Sequence, residues 1–320
     1  MTGPLVGMRV LDLTRNVAGP YATKLLADFG ADVLKLEPPE GDPSRRFGPF
    51  PDDEPHLERS GLFLHLNTNK RSAVLDPSTA EGAATIRRLA AEADVLLEDY
   101  APGEAAAWGW DPRALSEANP GLAVISITPF GQTGPYRDYR GSELTLQAIG
   151  GPLHQTGNRE REPLKLAGHY AHYHAGITAA LAALLIRRRV DSGDEVGGDY
   201  VDLSIHDCQT GCRDRRVIHL TAAAYSGVAP KRASLTTQRM GAGVRVCQDG
   251  FVNIMGAGPR LPRLLKLIGR EDLLDHPDIG APPTMVPPEL FEEIEGAYAE
   301  YLADKPKIEA VREAQSLRLL

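Results

Sequence analysis

The sequence predicts an α/β protein, with a Rossmann-like large domain built on a parallel sheet and a smaller α+β domain after it. Three observations predict this. Strand, loop, helix and strand follow one another within about thirty residues near the start, which makes a βαβ unit and hence parallel pairing. Further short apolar runs recur through residue 128, each ending in a polar or Gly/Pro-rich loop. Past residue 225 the pattern changes to a hairpin and short helices. We place the large domain at 1–224, a linker with a short glycine loop at 225–243, and the small domain at 244–320.

The elements follow in order. Met8–Leu13 is a short apolar strand, Asn16–Pro20 a tight loop, and Tyr21–Phe29 a helix broken by Gly30. Ala31–Leu36 is the second strand. No G-x-G-x-x-G follows the first strand, so a dinucleotide site lacks its main warrant. In the loop Glu37–Phe50, Arg45 and Arg46 either pair with phosphate or are simply solvated. Asn67–Arg71 lies between apolar segments, with Ser72–Leu75 as a strand, Glu81–Glu92 as an amphipathic helix and Asp94–Leu97 as another strand. Leu122–Thr128 is a further strand, followed by the loop PFGQTGPYRDYRGSE. Such loops gather at one sheet edge, where open α/β sheets bind ligands.

The stretch Gly168–Asp207 holds the most chemistry. Ala175–Arg189 has Ile177, Leu181, Leu184 and Leu185 at helical spacing, which predicts a helix with that face buried. Arg187, Arg188 and Arg189 suit its C-terminus. A Gly/Asp-rich turn leads to an alternating strand at Tyr200–Ile205. His169, His172 and His174 precede the helix, well placed for an anionic or carbonyl group. Their spacing forms no zinc pattern, and no metal is expected. Cys208 and Cys212, one turn apart with no further ligand nearby, are predicted to be ordinary thiols.

Bulk properties exclude several classes. A net charge of −8 over 320 residues argues against a general nucleic-acid binder and against an anionic membrane surface. Three cysteines suggest a reducing compartment rather than a disulfide scaffold. There is no basic start followed by an apolar core and no long apolar run, so a cytoplasmic protein without signal peptide or membrane span is expected.

After Asp207 the chain changes character. Tyr225–Met240 is poor in apolar residues and is predicted as linker, followed by Gly241-Ala242-Gly243. Val244–Met255 forms a hairpin turning at Asp249-Gly250. Leu261–Ile268 and Glu289–Leu302 are helices, and Arg312–Leu320 lies inside an expected further helix.

Six ordered segments resemble the family III CoA-transferases of CaiB/BaiF type, the group of formyl-CoA transferase, the carnitine and bile-acid CoA-transferases and α-methylacyl-CoA racemase. They are PLVGMRVLDLTRNVAGPYATKLLADFGADVLKLEPPEGDPSR, NTNKRSAVLD, EADVLLEDYAPG, NPGLAVISITPFGQTGPY, LTLQAIGG and GDYVDLSIHD. The likeness runs from Pro4 to about Asp207 and continues more weakly through 246–272.

The resemblance implies movement of CoA from an acyl-CoA to a carboxylic acid through covalent catalysis by an Asp. It places that nucleophile four residues before Gly176, at His172. Three roles for His172 are open: general base for racemase-like or hydrolytic chemistry, nucleophile forming an acyl-imidazole, or residue of an inactive acyl-CoA-binding site. Glu143 matches an active-site Glu of the family, or is a helix N-terminal charge. Val17 and Ala18, Lys70 and Arg71, Asp99 and Tyr100, and Arg140 match CoA-contacting positions. Coenzyme A or acyl-CoA is thus the expected ligand. The resemblance also implies an interlocked homodimer, a longer glycine loop than Gly241–Gly243, and a C-terminal return segment to the large domain that this sequence lacks.

Overall fold

Six parallel strands in the order β3-β2-β1-β4-β5-β6 carry the first part of the molecule. The structure, a computed structural model, describes residues 3–193, 199–211, 215–228, 232, 240–279 and 286–320. The strands are β1 (Arg9–Leu13), β2 (Asp32–Glu37), β3 (Arg71–Val74), β4 (Val95–Glu98), β5 (Ala123–Thr128) and β6 (Asp199–Ser204). Every pairing is parallel, as the βαβ pattern predicts. Between them run α1 (Ala18–Asp28), α2 (Gly61–Leu66), α3 (Ala80–Ala90), α4 (Glu104–Ala107), α5 (Pro112–Ala118), α6 (Glu143–Ile149), α7 (Pro152–Gln155) and α8 (Tyr170–Asp191). Helices α9 (Ile205–Thr210) and α10 (Arg215–Ser226) follow the last strand, so Tyr225 ends a helix rather than opening a linker. The order reverses between β1 and β4, and the crevice outside the strand C-termini at that point is the natural ligand position.

Strand alternation feeds two cores. Val10, Val33, Val95, Leu97, Ile125 and Ile127 face one side with the alanines of α1 and α8. Leu11, Leu13, Leu96 and Val124 face the other with Ile86, Trp110 and Leu115.

Helix α8 departs from the sequence expectation twice. It begins at Tyr170, five residues earlier, so His172 and His174 lie within it and His169 is its N-cap residue. Its buried face is the alanine face, Ala171, Ala175, Ala179, Ala180 and Ala183; of the four positions expected inside, Leu184 packs against the core while Ile177, Leu181 and Leu185 are half-exposed or more. Close approach explains this. A Cβ on Gly176 would lie 2.6 Å from the Ala18 carbonyl oxygen, so α8 lies against α1 backbone to backbone. Leucine at those positions would hold the helices apart.

A buried ion cluster fixes the loop after β1. Asp12, fully buried, accepts from Thr14 Oγ1 at 2.5 Å, Thr23 Oγ1 at 2.6 Å and Lys70 Nζ at 3.0 Å. Lys35 Nζ reaches Asp42 Oδ2 at 2.9 Å and donates to the Thr14 carbonyl at 2.7 Å. Burial alone would raise the Asp12 carboxyl, but Lys35, Lys70 and the two threonines hold it well below the usual carboxylate range. Asn16 takes a left-handed backbone (φ +63°), which asparagine tolerates, and its N–H donates to Asp42.

Contacts divide the chain into residues 1–157 with 161–232, and residues 158–160 with 233–320. The second unit contains the hairpin β7 (Val244–Cys247) and β8 (Gly250–Asn253), with α11 (Leu261–Leu267), α12 (Pro288–Ala303) and α13 (Lys307–Ser316). Leu264, Leu265, Ile294, Tyr298 and Leu302 form its core. Helix α13 stops at Ser316, whereas the sequence placed the last residues inside a helix; Arg318 turns at φ +57° and Leu319 packs into the core. Residues 194–198, Cys212, and most of the 225–243 linker (229–231 and 233–239) lie outside the described residues.

Two outcomes are expected of denaturant unfolding. Asp12→Asn leaves the buried Lys70 without its counter-charge and destabilises by roughly 3–5 kcal/mol. Ala179→Leu overpacks the α1–α8 contact at roughly 1–3 kcal/mol, while Leu181→Gln changes stability by less than about 0.5 kcal/mol.

Candidate active site

The loop after β1 and the first turns of α6 and α8 converge on one cavity of about 510 Å³. Its wall includes Arg15, Val17, Ala18, Asp99, Glu143, His169 and His172, with Phe47, Leu62, Ile127, Pro129 and Ile205 supplying apolar surface.

Glu143 is the centre of this wall. Ser142 caps α6 by accepting from the Thr145 N–H, and Thr145 Oγ1 accepts from the Ser142 N–H at 2.7 Å. That reciprocal cap fixes the first turn of α6 and with it Glu143. Glu143 Oε1 then accepts from the Ala171 N–H at 2.7 Å and Gln147 Nε2 at 2.6 Å. Its Oε2 lies 2.6 Å from His172 Nδ1 and 3.4 Å from the His172 backbone nitrogen. His169 makes no capping bond from its side chain, so a carboxylate from another helix satisfies the first donors of α8. Burial pushes Glu143 up, but its bonds from His172, Ala171 and Gln147 outweigh this and bring it down to about 2. An ionised Glu143 accepts from Nδ1–H, which leaves the lone pair of a neutral His172 on Nε2.

Asp99 is the other carboxylate of the wall. It accepts from the Arg15 backbone N–H at 2.7 Å and from Arg15 Nε at 3.1 Å. The Arg15 guanidinium also sits 4.3 Å over the Tyr100 ring. Burial raises Asp99 to about 6 against the pull of Arg15. His169 faces the same cavity, its ring centroid 6.3 Å from that of His172.

The structure thus brings together Val17, Ala18, Asp99, Glu143 and His172. The other sequence-predicted contacts do not line the cavity. Lys70 Nζ is spent inside the protein on Asp12, the Pro20 carbonyl at 2.8 Å and Asn67 at 2.8 Å, and burial drops it to about 8. Arg71 lies on the exposed edge strand and pairs with Asp32. Tyr100 is 3 % exposed, within the second core, and Arg140 is exposed outside the wall. His169 was marked by the His-rich run before Gly176, and it lines the cavity. Arg15, Ser44, Phe47 and Leu62 were not singled out; they reach the wall along a path that only the folded chain determines. Cys208 is a half-buried thiol pushed up by burial. Among the described residues no group of His, Cys, Asp and Glu could hold a metal ion, and no helix is long and apolar enough to cross a membrane.

A second cavity, of about 260 Å³, opens at the ends of β4, β5 and β6 and is lined by Glu98, Ser126, Arg113 and Tyr200 among others. Burial raises Glu98 there to about 7. It offers no imidazole and no paired acid and base, and it is the smaller of the two.

The model for CoA-transferase family III matches residues 5–319. The chain is 40% identical over 212 residues to the succinate–glutarate CoA-transferase of Agrobacterium fabrum, covering 65% of this chain and 52% of that one. It is 32% identical over 327 residues to the formyl-CoA:oxalate CoA-transferase of Streptomyces avermitilis, covering 97% and 78%. Its match to the succinyl-CoA–D-citramalate CoA-transferase of Chloroflexus aurantiacus covers 50% of that protein, so the chain spans about half the length of the first and third of these relatives. The crystal structure of a CAIB/BAIF family protein from Brucella suis superposes with a TM-score of 0.79 at 30% identity, covering 100% of this chain and 83% of that one.

One titration checks the electrostatics of this wall. Burial first, then the nearby His172, lowers the His169 imidazole below its ordinary 6.5. Its NMR-detected titration is expected to have its midpoint below that value. Because the unfolded chain then takes up the proton first, His169 withdraws stability as pH falls through and below 6.5.

Proposed function

The chain belongs to CoA-transferase family III, and from that premise we propose that it binds an acyl-CoA in the larger cavity and moves CoA to a carboxylic acid. The observation that carries this is the 2.6 Å contact of Glu143 Oε2 with His172 Nδ1 at the cavity wall. It fixes the imidazole ring and presents Nε2 to a thioester carbonyl, where an Asp is expected from the resemblance.

The chemistry follows from which groups are free. Glu143 accepts at both oxygens and Asp99 is held by Arg15. Neither carboxylate is available as a nucleophile. His172 Nε2 attacks the acyl carbon, the C–S bond breaks and CoA thiolate leaves. The acceptor carboxylate takes the acyl group from the imidazole as a mixed anhydride. The thiolate then attacks the acceptor's own carbonyl, forming the new thioester and expelling the donor acid. The apolar patch of Phe47, Leu62, Ile127 and Ile205 suits an acyl chain. A homodimer belongs to the same proposal, and sedimentation velocity tests it.

Calorimetry is expected to show CoA binding to the full chain, and labelled acid is expected to enter acyl-CoA. His172→Gln should lower that exchange by roughly 100-fold or more without loss of CoA binding. Glu143→Gln should lower kcat by roughly 100-fold with KM little changed, because it removes the ring's orientation rather than a substrate contact. Unchanged exchange in His172→Gln overturns the assignment.

A further inference from the structure

We propose that the chain is also an acyl-CoA hydrolase, in which His169 directs water onto the acyl group carried by His172. This rests on the transfer chemistry proposed above. Three observations on this wall support it.

First, the two carboxylates of the wall are not free to take the acyl group. Glu143 and Asp99 are both committed to internal donors, which leaves the acyl group on His172 open to a molecule that enters the cavity. An acyl-imidazole is an activated acyl donor, and water is the most abundant entrant. Second, His169 lines the same cavity, and among the described residues its ring nitrogens have no hydrogen-bond partner. Third, the ring centroids of His169 and His172 lie 6.3 Å apart at an interplanar angle of 88°. That is too far for a direct bond between the rings and suits a water between them.

The groups facing His169 favour a neutral ring. Burial and His172 lower its proton affinity and Lys165 adds to this, with Glu143 alone opposing. A neutral imidazole can take a proton from water near neutrality. The step balances. Water oxygen bonds to the acyl carbon, its proton goes to His169, the bond from carbon to His172 Nε2 breaks, and the acid leaves. CoA thiolate recovers the proton, so acyl-CoA and water give acid and CoA thiol.

The test uses the full chain with acetyl-CoA and octanoyl-CoA. Thiol release is followed without added acid, ¹⁸O from labelled water is sought in the product, and exchange of labelled acetate into acetyl-CoA is measured in parallel. The wild type is expected to release thiol and place one ¹⁸O in the acid. His169→Gln should lower the ratio of thiol release to acetate exchange by roughly 100-fold. His169→Asn is a second variant with the same expectation. His172→Gln should lose both reactions. Exchange without release in the wild type, or an undiminished ratio in both His169 variants, overturns the hydrolase while leaving transfer intact. Absence of exchange and release together overturns both.

Discussion

One carboxylate organises the site. Glu143 starts on the first turn of α6, crosses to the first turn of α8 and there meets two backbone donors and one imidazole. A helix beginning with His169 lacks a short polar cap of its own, and its first N–H groups need an acceptor. Supplying that acceptor from another helix couples two tasks. The bond that stabilises the start of α8 also sets the ring of His172. The electrostatics agree: donors strong enough to hold Glu143 near 2 keep it ionised at any working pH, so the orientation of the ring does not titrate with the carboxylate.

Around that bridge, charge is consumed internally rather than displayed. Lys35 and Lys70 neutralise Asp12 and Asp42, Arg45 pairs with Glu37, and Arg15 pairs with Asp99. These pairs fasten the loops after β1 and β2 to the sheet. Their value is geometric, since a buried pair gains little net energy but removal of one partner is severe. The consequence for ligand binding is that basic residues near the sheet edge are not thereby phosphate ligands. Lys70 shows this: its motif looks like a contact, yet its amine faces Asp12.

This explains how much the sequence could reveal. The strands were legible because short apolar runs between Gly- and Pro-rich loops allow few other structures, and the five parallel pairings follow that pattern. Glu143 and His172 were legible through the resemblance. The buried face of α8 was not. Hydrophobic spacing pointed to Ile177, Leu181 and Leu185, but the contact with α1 at Gly176 is governed by smallness, so the alanines went inside. The start of the same helix was missed for a related reason: its cap comes from 28 residues upstream, so no local capping signal exists. Arg15 and Phe47 enter the cavity wall through loop paths that ion pairs set, and ion pairs between distant residues leave no periodic trace.

The pairing of His172 with Glu143 also bears on why an imidazole can stand where a carboxylate is expected. An Asp at that position would face an ionised Glu143 across a hydrogen-bond distance. Two carboxylates that close cannot both stay charged, so one would take a proton or the pair would share it. The imidazole avoids that conflict by donating from Nδ1. In the proposed transfer the group left to meet the thioester is Nε2, and an acyl adduct there would be open to water because Glu143 and Asp99 are both committed to internal donors. The imidazole at 172 and the lowered proton affinity of His169 therefore belong to one electrostatic arrangement, with an ionised Glu143 at its centre.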